Sequence, residues 1–188
     1  SNICSVRSQP YRSPVRTSTK GNAAEAAVLQ ALVQRELDVL VPFGGGQPHD
    51  LVVHIAANKF LRVQCKAARR KKGCLIFNSR TTDHGKGRLP YLGLADIFGV
   101  YFAPNRSVYL VPVRDTATYF GWLRLEPTRN NQRRGIRFAA DYEIDRWSRE
   151  ALCRLAIESP LVAESRNGGR AASASNSSTS EDSVKLRP

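Results

Sequence analysis

Residues 21–36 are alanine-rich and free of proline, and Ala24, Val28, Ala31 and Leu32 recur at helical spacing. That pattern predicts an amphipathic helix. Residues 38–43 form a short β-type run that ends at Gly44-Gly45-Gly46, and residues 51–55 are apolar and β-branched. Ala57-Asn58 reads as a tight turn. Residues 60–66 then alternate, with Leu61, Val63 and Cys65 on one face and Arg62, Gln64 and Lys66 on the other. Further strands are predicted at 74–77, 97–102 and 108–113, the last two joined by a turn at Pro104-Asn105. Residues 141–157 carry Ile144, Trp147, Ala151 and Leu155 along one side and predict a second helix. Helix, run of strands, helix is the order of an α/β (α+β) domain, a mixed sheet flanked by helices.

The chain has 188 residues and is 41% hydrophobic, which suits one domain with tails and a core of useful size. Residues 1–18 hold Arg7, Arg12 and Arg16 and no acid, and read as a basic flexible arm. Residues 161–188 pass through Asn-Gly-Gly into Ser, Ala, Asn and Thr, a composition expected to be disordered. The folded domain is placed at 19–160. There is no methionine, which points to a processed chain or a piece of a longer one. No apolar run approaches membrane-spanning length and the N-terminus lacks a signal-peptide core, so the expectation is no membrane association and a cytoplasmic protein, nucleoid-associated in a bacterium. The four cysteines are scattered, without C-x-x-C or a neighbouring histidine pair, which argues against zinc.

Charge narrows the function. A net charge of +13 and a pI near 10.2 favour polyanions. Within this basic chain, Asp50 opens one predicted strand, and Gln64 and Lys66, two apart on the next, share a face. Phosphodiester hydrolysis needs a hard cation to bind the scissile phosphate and to acidify the attacking water. Asp50 supplies an anionic ligand, the Cys65 carbonyl a neutral one, and Lys66 a cation able to orient water and stabilise developing negative charge. Duller readings exist. Asp50 could be a turn residue after Pro48, and Gln64 and Lys66 an ordinary solvated strand face. His49 reads as loop, and His54 as sheet surface or core.

This arrangement, Pro-x-Asp50 followed by a hairpin and Gln64-x-Lys66, resembles the PD-(D/E)XK nuclease superfamily, with glutamine in the usual acid position. The glutamine variant most resembles the small intron-encoded homing endonucleases of that superfamily. Gly21-Asn22 at the predicted helix start, Glu25 within it, Val41-Pro42-Phe43 and Val108-Tyr109-Leu110-Val111-Pro112 extend the resemblance over roughly residues 20–113. It implies a restriction-endonuclease-like fold and hydrolysis of DNA phosphodiesters with Mg2+ or Mn2+, and a site-specific homing type of activity. It also implies a site of Glu25, Asp50, Gln64 and Lys66, with Asp50, Gln64 and Cys65 toward the metal. Glu25 has a plain alternative, since Asn22 three residues earlier approximates a capping box.

Two acid-free basic runs would meet the DNA. The first holds Arg62, Arg69, Arg70, Lys71 and Lys72 and abuts the proposed metal site; the second holds Arg129, Arg133 and Arg134 around Asn130, Asn131 and Gln132. Lys and Arg supply phosphate contacts, and Arg, Asn and Gln can read base edges. Residues 73–88 are a candidate loop or ribbon for a groove, with Arg80, Lys86 and Arg88. Cutting both strands of double-stranded DNA calls for two sites, so a homodimer or homotetramer is expected. The competing readings are a non-catalytic basic nucleic-acid-binding module and a Holliday-junction-resolvase-like nuclease.

Overall fold

The computed structural model describes residues 17–44, 46–81, 87–128 and 132–158. The basic arm up to residue 16, the tail at 161–188, and Lys86, Arg129, Asn130 and Asn131 lie outside the described residues.

Helix α1 (Thr17–Val33) leads into β1 (Asp38–Leu40), β2 (Leu51–Ala56) and β3 (Lys59–Ala67). Strands β4 (Arg69–Lys71) and β5 (Cys74–Asn78) form a hairpin, and β6 (Ile97–Phe102) and β7 (Ser107–Pro112) form another. Strand β8 (Phe120–Arg124) and helix α2 (Arg149–Ile157) complete the chain. The main sheet has the order β1-β2-β3-β6-β7. Its neighbours are antiparallel except β3 and β6, which are parallel. That one parallel pair needs a long connection, and the chain uses it to build β4 and β5. These two join β8 in a second, three-stranded sheet.

The main sheet is covered on both faces, which makes it a mixed sheet in a layered α+β domain. On one face α1 and α2 bury Val28, Leu32, Leu152 and Leu155 against Leu51, Val53, Leu61, Val63 and Ile97. On the other, Leu75, Phe77 and Leu123 of the second sheet pack with Phe98, Val100, Tyr109 and Val111. The alternation expected of β3 is therefore real, but both its faces are inside: even Gln64 is only 8% exposed. Helix α1 lies tight on the sheet. A Cβ on Gly99 of β6 would sit 2.6 Å from Cγ1 of Val28, so only glycine allows this approach.

Three local expectations need correction. The first helix begins at Thr17, not at residue 21, so Asn22 and Glu25 sit in its body and the capping-box reading of Glu25 falls away. Strand β1 stops at Leu40; Val41, Pro42 and Phe43 lie outside it, and Pro42 has no amide hydrogen to continue the ladder. The helix expected over 141–157 is broken. Residues 139–141 and 144–146 form short 3₁₀ turns and only Arg149–Ile157 is α-helical. The break has two visible causes. The Leu110 amide donates to the Tyr142 carbonyl (2.8 Å), tying the segment to β7. Ser148 is extended and its hydroxyl accepts from the Ala151 amide (3.2 Å), which caps α2 there.

Candidate active site

The hairpin β2-β3 brings Asp50 beside Gln64 and Cys65. Asp50 precedes β2, and its amide donates to the Val63 carbonyl (3.0 Å), which extends the ladder by one rung. Its Oδ2 accepts from the Cys65 amide (2.7 Å) and from Nε2 of Gln64. Gln64 Nε2 also reaches the Cys65 carbonyl (3.4 Å). The carboxylate is thus fixed by a main-chain and a side-chain donor. Burial nevertheless dominates and raises the Asp50 pKa, against the hydrogen bonds and the nearby Lys66, which lower it.

Glu25, half-buried on α1, is near enough to feel this charge. Its pKa is raised by burial and then by Asp50. Two partly desolvated carboxylates, one of which raises the pKa of the other, suit a cation. The available donors are all hard oxygens: Asp50, Glu25, the Cys65 carbonyl and the Gln64 side-chain oxygen. Among the described residues no cluster of three or more His, Cys, Asp or Glu is present. This set fits Mg2+ or Mn2+, which keeps waters of its own, better than a thiolate- or imidazole-bound metal. The Cys65 thiol is buried and its pKa is pushed up, so its sulfur stays protonated and only its carbonyl is a candidate ligand.

Lys66 is placed on the Gln64 face and partly buried. Its Nζ donates to the Tyr91 hydroxyl (2.9 Å) and lies 4.4 Å from the centre of that ring. Burial lowers the Lys66 pKa to about 8, against the opposing attraction of Asp50. Burial also pushes Tyr91 up to about 12, so the phenol is neutral. His49, beside Asp50, has its pKa lowered by burial and by Arg62 and contributes no fixed positive charge.

Of the expected site residues, Glu25, Asp50, Gln64, Cys65 and Lys66 come together. Arg62 does not join the DNA-facing set. Its guanidinium pairs with both carboxylate oxygens of Asp96 (2.8 and 3.1 Å) and donates to the Gly93 carbonyl (2.7 Å). The two side chains are only 16% and 5% exposed, so this charge is spent holding β3 to the approach to β6. Sequence reasoning missed Tyr91. It lies 25 residues from Lys66, in a segment without periodicity, and no spacing rule connects the two.

The remaining basic residues gather around the second sheet. Arg69, Lys71 and Lys72 are exposed on the β4-β5 hairpin, and Lys72 (φ +49°) with Gly73 (φ +73°) makes its two-residue turn. Arg70, also exposed, pairs with Glu126 (2.6 Å). Arg124 of β8 bridges to Phe138, and the exposed Arg133 and Arg134 lie on the segment leading there. Two basic runs distant in sequence are therefore joined along one sheet. Arg80 is half-buried over the Tyr119 ring (4.4 Å), while Arg88 is exposed. Cross-strand register also puts Arg69, Ile76 and Trp122 in one row and Asn78 with Phe120 in another. Phe120 and Trp122, which sequence reasoning passed over, are exposed on that face.

The profile of the PD-(D/E)XK endonuclease family matches residues 15–145, which takes in every element from α1 to β8, and the chain belongs to that family. It is an endonuclease of the PD-(D/E)XK class. Among solved structures it resembles the bacterial homing endonuclease I-Ssp6803I, with a TM-score of 0.53 and 21% identity over 80% of this chain and 98% of the other. At that identity the likeness speaks for the fold. No curated protein matches the chain.

The glutamine in the acid position has a measurable consequence. A Gln64→Glu carboxylate would lie against Asp50 where an amide donor now sits, trading a hydrogen bond for like-charge repulsion. Without metal the variant should melt several degrees below the parent, and saturating Mg2+ should recover most of that loss. Thermal melts with and without Mg2+ read this out. Equal midpoints for both proteins in chelator would place Gln64 away from Asp50.

Proposed function

We propose that the chain hydrolyses phosphodiester bonds of double-stranded DNA in a reaction that depends on Mg2+ or Mn2+. The observation that carries this is the Asp50 carboxylate held beside Gln64, the Cys65 carbonyl and Lys66, with Glu25 approaching from α1. Asp50, Glu25 and the Cys65 carbonyl would hold the divalent ion. Gln64 turns its amide nitrogen to Asp50, so in this arrangement it orients the carboxylate. Rotation of the amide would offer its oxygen to the same ion. When bound, that cation supplies a Lewis acid for the phosphate and a more acidic water. Lys66 provides the positive charge facing the phosphate oxygens and the attacking water. Its partial burial makes that charge act through a low dielectric.

The basic second sheet supports DNA as the polymer. Strand β4 continues β3 only three residues past Lys66, so Arg69 and Lys71 extend directly from the reacting centre. Arg124, Arg133 and Arg134 lengthen that surface; Lys86 and Arg129 remain DNA-contact candidates from the sequence alone. Binding should be strongly salt-dependent: neutralising four to eight phosphates would give a slope of log K against log salt of roughly −4 to −7. Fluorescence anisotropy of a labelled duplex in chelator measures it, and a slope near zero would remove the phosphate-contact assignment. Site-specific cutting of the homing type, by a homodimer or homotetramer inside the cell, is the narrower form of the proposal. It draws on the likeness to a homing endonuclease. No helix among the described residues is long and apolar enough to cross a membrane.

The reaction is tested with supercoiled plasmid. The purified chain should produce nicked and linear forms with Mg2+, stop in chelator, and resume when Mg2+ is restored in excess. Intact plasmid throughout, with DNA bound, would favour a binding module instead.

A further inference from the structure

Tyr91 lies at the start of a short segment ahead of β6, and three sets of contacts fix it. Its carbonyl accepts from the Leu94 and Ala95 amides (2.9 and 3.0 Å). Its ring stands edge-on to Phe98, 5.4 Å between centres, and Phe98 is the register partner of Gln64 on the neighbouring strand. Its hydroxyl accepts from Lys66 Nζ at 2.9 Å, and the residue is only 5% exposed. A lysine has four rotatable side-chain bonds and would otherwise wander among many rotamers. A neutral, rigidly packed phenol gives its ammonium one address.

We propose that Tyr91 is a positioning residue for the nuclease centre, whose hydroxyl holds the Lys66 ammonium on the Asp50–Gln64 side of the sheet. This rests on the nuclease reading above. The ring is not enough for the task. It provides the cation–π attraction, which is diffuse in direction, whereas the hydroxyl fixes a single oxygen as acceptor. The sequence of supports runs from Gln64 across the β3-β6 ladder to Phe98, from Phe98 to the Tyr91 ring, and from the Tyr91 hydroxyl back to Lys66. The lysine is thereby referenced to β3, the strand that carries Gln64 and whose Cys65 amide holds Asp50. Displacement of a reacting group by about 1 Å can cost on the order of 100-fold in rate.

Tyr91→Phe removes the hydroxyl and keeps the ring on Phe98. Single-turnover cleavage of a bound plasmid should slow roughly 10- to 100-fold. The dissociation constant for duplex DNA in chelator should stay within about twofold, since Tyr91 is buried and the exposed basic residues of the second sheet are untouched. A structural role alone would move the melting midpoint and not produce this split between rate and affinity. A second readout needs no activity. In protein carrying 13C-labelled lysine at Cε, the Lys66 Hε resonances should be ring-shifted in the parent and move toward the bulk lysine position in Tyr91→Phe. Cleavage by Tyr91→Phe at the parental rate, or Lys66 resonances unchanged, would overturn the positioning role while leaving the nuclease reading intact. A parent chain that binds DNA and never cleaves it would overturn both.

Discussion

Replacing Lys66 with methionine is expected to remove cleavage and, at neutral pH, to make the fold more stable. The two effects have one cause. Lys66 is a charge held in a partly desolvated position, where the proposed chemistry would use it, and burial lowers its pKa to about 8. Below that pH both folded and unfolded chains carry the proton, and the folded state bears the full cost of the buried charge. As pH rises from about 8 toward the unfolded lysine value of roughly 10.4, the unfolded chain binds more protons than the folded one. Stability of the parent therefore increases across that window. Methionine fills a similar volume without the charge. The variant should exceed the parent by up to about 3 kcal/mol at pH 7, and the gap should close by about pH 10.5. Denaturant melts at pH 7, 9 and 10.5 measure this. A variant less stable than the parent at pH 7 would mean that the Tyr91 and Asp50 contacts outweigh desolvation.

Asp50→Asn should abolish cleavage and leave DNA binding equal or tighter. The neutral amide removes the central anionic ligand, and a divalent ion contributes several kcal/mol to the transition state, so the rate should fall by about 10³-fold or more. One negative charge disappears from a surface that must accept phosphate, which explains the unchanged or higher affinity. The fold should tolerate the change. Asparagine keeps a side-chain oxygen for the Cys65 amide, and Asp50 is a carboxyl whose pKa is already raised by burial. The check is cleavage rate beside duplex affinity for the same preparation. Weaker binding by tenfold would indicate that Asp50 orders the DNA-facing surface and not the metal.

Much of the candidate site was legible in the chain because its parts are close in sequence. Asp50 and the Gln64-x-Lys66 pair belong to one hairpin, and a hairpin's register follows from its turn and its alternation. Glu25 was reached only through the resemblance to the nuclease superfamily, which implies a glutamate on the first helix. What was not readable depends on contacts between distant segments. Arg62 looks like a surface cation until Asp96, 34 residues on, is seen to meet it. Strand β4 is Arg69-Arg70-Lys71, a strand only because it pairs with Cys74, Leu75 and Ile76. Strand β8 has Gly121 as its second residue, which argues against a strand in isolation. The fold uses that glycine, since a Cβ there would come within 2.1 Å of the Phe77 ring. Tyr91 belongs to the same class: its partner is fixed by the parallel pairing of β3 and β6, and parallel strands leave no short-range signature.

One constellation, Asp50 and Lys66 on the β2-β3 hairpin, is proposed to perform the hydrolysis. The direct measurement is plasmid nicking in Mg2+ by the parent, Asp50→Asn and Lys66→Met at matched DNA occupancy, each variant's binding having been measured in chelator. Mg2+-dependent nicking is expected of the parent, with a loss of about 10³-fold or more in each variant at unchanged occupancy. Nicking at the parental rate by either variant would contradict it.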